Sequence, residues 1–228
     1  MKKFLSLFCV MLLSFILLAG CSGGETEQNE TLLQFQTPNP GDTIAVFVTS
    51  KGTFKAVLYA DHAPLAVQNF IRLASVGFYD GMEFHRVISD FVVQSGDPAT
   101  KEDSTDADVQ PFRNEYSENL HHYPGALGMA NDRADHNTTQ FYVVKGASVS
   151  QDLLGQLEQQ GYSSSVIDAY NTHGGLPTLD NRYTVFGQVY EGLDVITKIS
   201  KVNTDGNDRP KKAVTITSVT IEIYEIEE

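Results

Sequence analysis

The sequence predicts a mainly β domain, a sandwich or closed barrel of short strands with few helices. Three observations carry this. Short runs of alternating β-branched and aromatic residues recur along the chain. Gly, Asn, Asp and Ser clusters separate them, and helical periodicity appears only in two stretches of the body and in one polar insertion.

Before the body lies a leader. Lys2 and Lys3 precede an apolar run from Phe4 to Ala19, interrupted only by Ser6 and Ser14. A secretory signal has this layout, and the run is short for a membrane span, so residues 1–20 are expected to be a signal peptide. Leu18-Ala19-Gly20-Cys21 resembles the lipobox of bacterial lipoproteins, whose cysteine is acylated and becomes the mature N-terminus. Cys21 is then the lipidation site, the attached chains being of the palmitate type. The only other cysteine, Cys9, lies inside the leader, so the mature chain would carry no disulfide and must rely on a core.

Loss of Lys2 and Lys3 would take the formal charge from −13 by two further units to −15. So acidic a chain argues against nucleic acid and against electrostatic adhesion to anionic lipid; the membrane is reached through acyl chains. Residues 21–41 are polar, with Pro38 and Pro40, and read as a lipidated N-terminus and flexible tether. As a coil of about 20 residues it would hold the domain roughly 25 Å from the anchor. Leu32, Leu33 and Phe35 give its inner half the means to pack on the domain.

Residues 42–228 are of single-domain size. Thr43 to Val48 alternates, Ser50-Lys51-Gly52 turns, and Thr53 to Tyr59 returns with Phe54, Ala56 and Leu58 on one face, a hairpin. A helix follows, with Pro64 in its first turn, a stripe of Ala63, Val67, Phe70, Ile71 and Ala74, and Gly77 at its close. Strand-like runs cover Glu83–Ile88, Phe91–Gln94, Ala126–Ala130, Phe141–Lys145 and Thr184–Val189, and a second helix fits Gly192–Lys201. The last strand, Val214–Tyr224, changes parity between Ile216 and Val219, which predicts a bulge. Between Gly146 and Pro177, apolar residues at helical spacing amid Ser, Gln and Gly predict one or two short inserted helices, either a packed insertion or a flap for a substrate or partner.

Five blocks now stand in order: Phe84-His85-Arg86-Val87-Ile88, Phe91 through Asp97, Met129-Ala130-Asn131, Gln140-Phe141-Tyr142, and Leu179-Asp180 with Thr184-Val185-Phe186-Gly187. In sequence and spacing they resemble the cyclophilins over about Thr43 to Ile223, leaving out the leader, the tether and the insertion. The resemblance implies a closed eight-stranded antiparallel barrel capped by two helices, and peptidyl-prolyl cis–trans isomerase activity.

Amide rotation needs no nucleophile, metal or cofactor, because no bond breaks. Its barrier of about 18–20 kcal/mol comes from the nitrogen lone pair delocalised into the carbonyl. A catalyst must grip the proline, let the preceding carbonyl swing, and bind the twisted state more tightly than either planar one. Arg86 suits this, since a guanidinium stays charged and offers a rigid fork of donors.

By resemblance, Arg86, Gln94 and Phe91 are the catalytic residues, Gln94 bracing Arg86. Val92, Tyr142, Leu179 and Tyr183 join Phe91 around the proline, and Ala130, Asn131 and Gln140 bind the flanking backbone. The chain departs from common family usage at Val92 (often Met), Tyr142 (often Phe) and Tyr183 (often His). Thr178 stands where many members carry tryptophan, which argues against tight cyclosporin binding. The six histidines show no zinc spacing, and no Gly-x-Ser-x-Gly or glycine-rich phosphate loop occurs. His85 is expected to be buried and hydrogen-bonded.

The expected protein is therefore a monomeric prolyl isomerase, lipid-anchored on the extracytoplasmic face of a bacterial membrane, acting on proline-containing unfolded or exported polypeptides. The competing expectation is a binding or holdase lipoprotein of the same fold whose isomerase activity is incidental.

Overall fold

The computed structural model describes residues 32–101 and 109–226. The expected signal peptide, Cys21 and the outer tether lie outside them. The compact unit runs Thr31–Glu228.

Eight antiparallel strands form one curled sheet, a half-barrel: β1 (Thr43–Thr49), β2 (Gly52–Leu58), β3 (Arg86–Val87), β4 (Val92–Ser95), β5 (Ala126–Met129), β6 (Phe141–Val144), β7 (Val185–Glu191) and β8 (Ile216–Ile223). Their order across the sheet is β3-β4-β6-β5-β7-β2-β1-β8. The expected closed barrel is more than the ladder supplies: the edge strands β3 and β8 are not paired to each other. The segment before β3 approaches β8 instead: Glu83 bridges Thr215, Gly81 N–H donates to Ile216 O and Ile216 N–H to Met82 O, each at 2.8 Å.

Alternation puts Ala45 and Phe47 of β1, and Phe54 and Ala56 of β2, on the concave face, all fully buried. The β1–β2 register sets Phe47 opposite Phe54, and their rings stack with centroids 4.4 Å apart. Helix α1 (Pro64–Ser75) covers this face with Ala66, Val67, Phe70, Leu73 and Ala74, and Ile71 is only partly buried. Helix α4 (Leu193–Ser200) adds Val195, Ile196 and Ile199. The expected bulge is present: Val48 faces Ser218 while Thr49 faces Ile216, so Thr217 is the extra residue.

One expectation changes. The run Glu83–Ile88 yields only the two-residue β3: Arg86 and Val87 pair with Gln94 and Val93, whereas Phe84 N–H donates to Val214 O, just outside β8. The described residues hold four α-helices, the two expected in the body and two in the insertion. The insertion folds as α2 (Gln151–Gln159) and α3 (Ser164–His173), capped by Ser150 and Ser163 hydroxyls. Leu154, Leu157, Val166 and Tyr170 make a small core of their own with Tyr123, so the insertion is packed. Its neck is narrow. Ala147 bridges Gly175, and a Cβ on Gly146 would stand 2.8 Å from Gly175 Cα.

The inner tether also packs. Residues Leu33–Phe35 form a 3-10 turn whose Gln34 is 4% exposed. Its Nε2 donates to His121 O (2.8 Å) and Gln188 Oε1 (2.9 Å), and its Oε1 accepts from His121 N–H (2.6 Å).

Candidate active site

Strand pairing assembles the site on the convex face. Val93 points into the core, so Val92 and Gln94 point outward. The register then sets Arg86 opposite Gln94, Gln94 opposite Tyr142, and Tyr142 opposite Gly128. One row across β3, β4, β6 and β5 thus holds a cation, an amide, an aromatic ring and a residue with no side chain.

Leu179 comes from the 3-10 turn Pro177–Leu179, and Tyr183 N–H donates back to Leu179 O. Ala130 and Asn131 follow β5 directly. With Phe91 and Val92 these side chains, Arg86, Gln94 and Tyr142 line a cavity of about 110 Å³. Drug-sized ligands occupy about 300–1,000 Å³, so this cavity suits one compact ring. A larger groove of about 960 Å³ runs along α1, mainly apolar, with Gln68, Asn69, Arg72 and Gln110 among its lining residues. Of the ten residues expected around substrate, nine line the small cavity. Gln140 lines its neighbour with Ala130 and Asn131, a cavity of about 350 Å³.

The polar groups are individually held. Gln94 Nε2 donates to Gln140 Oε1 at 2.8 Å, so Gln94 braces Gln140 rather than Arg86. The Arg86 side chain is 41% exposed, and its Nε lies 3.7 Å from Asp208 Oδ2, a loose surface pair. Asn131 Nδ2 donates to Asn137 Oδ1 (2.9 Å) and Asn114 Oδ1 (3.1 Å), and Asn137 Nδ2 also donates to Asn114 Oδ1. This asparagine cluster commits the Asn131 amide to holding its own loop. His85 is half-buried rather than buried, and its Nδ1 meets no hydrogen-bond partner among the described residues. Burial lowers its pKa against the pull of Asp97, with Arg209 and Arg86 adding to the lowering, so the ring is neutral near pH 7.

Behind the cavity lies a buried network that the sequence motifs did not reveal. Asp180, its side chain 3% exposed, accepts from His122 Nδ1 (2.7 Å), His122 N–H (3.0 Å), His121 Nδ1 (3.0 Å) and the Tyr170 hydroxyl (2.7 Å). Burial raises its pKa, but the hydrogen bonds from His121 and His122 outweigh that and hold the carboxyl at about 2. With His122 Nδ1–H turned to this carboxylate, its Nε2 lone pair faces the Tyr142 hydroxyl at 2.8 Å. Burial first, with Tyr183 and Asp180 adding, keeps the Tyr142 phenol well above its ordinary pKa, so it remains a donor. Among the described residues no cluster of His, Cys, Asp or Glu is placed to hold a metal ion.

The family model described as cyclophilin type peptidyl-prolyl cis-trans isomerase matches residues 44–221. A Staphylococcus aureus protein named "Putative peptidyl-prolyl cis-trans isomerase" is 38% identical over 183 residues, 80% of this chain and 93% of its own length. A Staphylococcus saprophyticus protein of the same name is 38% identical over 190 residues, 82% of this chain and 96% of its own. The crystal structure of a Cryptosporidium parvum cyclophilin-type isomerase superposes with TM-score 0.61 at 22% identity, covering 81% of this chain and 99% of that one. The same protein determined in the presence of the dipeptide Ala-Pro gives TM-score 0.60 at 23% identity, over 79% and 99% of the two chains.

Proposed function

The chain belongs to the cyclophilin-type peptidyl-prolyl cis–trans isomerases and is an isomerase, and on that premise we propose how it turns an X–Pro bond and where. The proline ring enters the 110 Å³ cavity between Phe91, Val92, Tyr142 and Leu179. Gln140, steadied by Gln94, and the backbone of Ala130 and Asn131 hold the flanking chain. The carbonyl before proline is left to swing, and Arg86 donates to it or to the pyramidalising nitrogen as conjugation is lost. No proton is transferred and no bond is broken. The observation that carries this reading is the row Arg86–Gln94–Tyr142, which sets one half-exposed cation beside one small apolar cavity.

The same reading takes the half-barrel as closed, with the Glu83–Thr215 bridge as its seam. It also places the enzyme outside a bacterial membrane, held by acyl chains on Cys21 and acting on exported polypeptides whose slow proline steps limit folding. The leader and the Leu18-Ala19-Gly20-Cys21 pattern support this.

The test is a protease-coupled or NMR exchange assay on an Ala-Pro peptide, comparing residues 22–228 with the same chain carrying Arg86→Ala. A loss of kcat/KM on the order of 10²-fold is expected, the usual effect of deleting a transition-state donor. Equal and negligible rates from two folded proteins would refute the arginine mechanism and leave the binding or holdase reading.

A further inference from the structure

We infer that His122 is a positioning residue of the proline pocket: it fixes the ring of Tyr142 by its hydroxyl, and Asp180 and Tyr170 make the inserted helices part of that fixture. The inference rests on the isomerase reading above, since it concerns the wall of the same cavity.

Three features coincide without any need from the half-barrel itself. The ring at position 142 has to supply only an apolar wall, yet it carries a hydroxyl, and that hydroxyl points away from the cavity to His122 Nε2. A tyrosine there needs clearance. Gly128, directly opposite in the ladder, provides it, because a Cβ at that position would overlap both Cζ and Oη of Tyr142. A buried hydroxyl also needs a partner, since leaving one unpaired is costly. His122 is that partner, and it can accept only because Asp180 holds its other nitrogen.

The fixture has a mechanical meaning. The χ2 torsion of a tyrosine is broad, so packing alone lets the ring rock. A hydrogen bond at its far end pins the plane, and that plane is one wall of the pocket. Tyr170 then brings in the insertion. From α3 it donates to Asp180 Oδ2 at 2.7 Å, and its oxygen accepts from His122 N–H at 3.1 Å. A chain of hydrogen bonds therefore runs from an inserted helix to the substrate wall.

The experiment is a double-mutant cycle on residues 22–228, reading kcat and KM for an Ala-Pro peptide. Tyr142→Phe, His122→Leu and Tyr170→Phe are each expected to raise KM about three- to tenfold with kcat little changed, as for loss of one hydrogen bond that acts on ground-state binding. In the Tyr142→Phe background, His122→Leu and Tyr170→Phe should raise KM no further, although urea unfolding still shows their cost in stability. Equal KM factors in both backgrounds, or no KM change from Tyr142→Phe, would overturn the inference. Should His122→Leu not fold, the Tyr142→Phe and Tyr170→Phe pair removes only oxygen atoms and completes the cycle. A second readout does not depend on turnover: Tyr142 ring resonances should show slow flipping in the parent and faster flipping in Tyr170→Phe. Unchanged flipping would also overturn the inference, and would do so even if the parent proved inactive and the isomerase mechanism itself failed.

Discussion

Glu115 caps the helix that begins beside Ala66: its Oε2 accepts from Ala66 N–H at 3.0 Å and its Oε1 from Leu65 N–H at 3.1 Å. Ala63, at the cap position, has no acceptor to offer, so the first turn of α1 finds its partner about fifty residues away. The carboxylate meets both orphan donors and the positive end of the helix. Glu115→Ala should therefore lower the unfolding free energy by about 1–2 kcal/mol. The reading is the urea midpoint at unchanged m-value, and an unmoved midpoint would show the cap to be dispensable.

Asp180 gives the protein a distinct acid limb. Its folded pKa of about 2 lies below the ordinary 3.8, so folding favours the ionised form. That contribution is complete above about pH 4 and is lost as pH falls through 2. Its size is about 2 kcal/mol at neutral pH by linkage. Stability of the parent should fall between pH 4 and 2, and Asp180→Asn should be less stable at pH 7 but flatter across that window. Parallel curves would show that the carboxyl titrates alike in both states.

Gln34 makes three hydrogen bonds in a dry environment. Gln34→Ala strands His121 N–H and Gln188 Oε1, at about 1–3 kcal/mol. A chain beginning at Asp42 should lose at least as much, since Leu33 and Phe35 go with it. Thermal unfolding of the two compared with residues 22–228 decides. Equal stability of all three would mean that the segment is a free tether.

Gly128→Ala is expected to be costly out of proportion to one methyl group. The added carbon must displace the Tyr142 ring or bend β5, and overpacking of this kind costs about 1–3 kcal/mol. Because the ring is a pocket wall, kcat/KM for an Ala-Pro peptide should fall too. Full activity at reduced stability would show that the strain goes into β5 instead.

The hairpin, the first helix, the bulge near Thr217 and the positions of the later strands were legible because each follows from local periodicity and turn chemistry. Strand β3 was not legible at its true length. Phe84 looks like a strand residue, but its amide goes to Val214 O outside the ladder, and nothing local announces that. The pocket residues were found through motif order; alternation and pairing then explain why Arg86, Gln94 and Tyr142 meet. The supporting residues escaped. His121 and His122 read as histidines without zinc spacing, and nothing singled out Asn114 or Asn137. Gly128 read as an unremarked strand residue. Each acquires its role only from a partner distant in sequence. One signal was present: a tyrosine where many relatives carry phenylalanine asks where its hydroxyl goes.

The neck at Ala147 and Gly175 lets the chain leave the sheet, build two helices and return within a few ångströms of its departure. Such a segment can lengthen, shorten or change its outer surface over evolutionary time while the strand register stays intact. Tyr170 ties this packed insertion to the substrate wall. Relatives could thus diverge in which prolines they favour through residues no substrate ever meets.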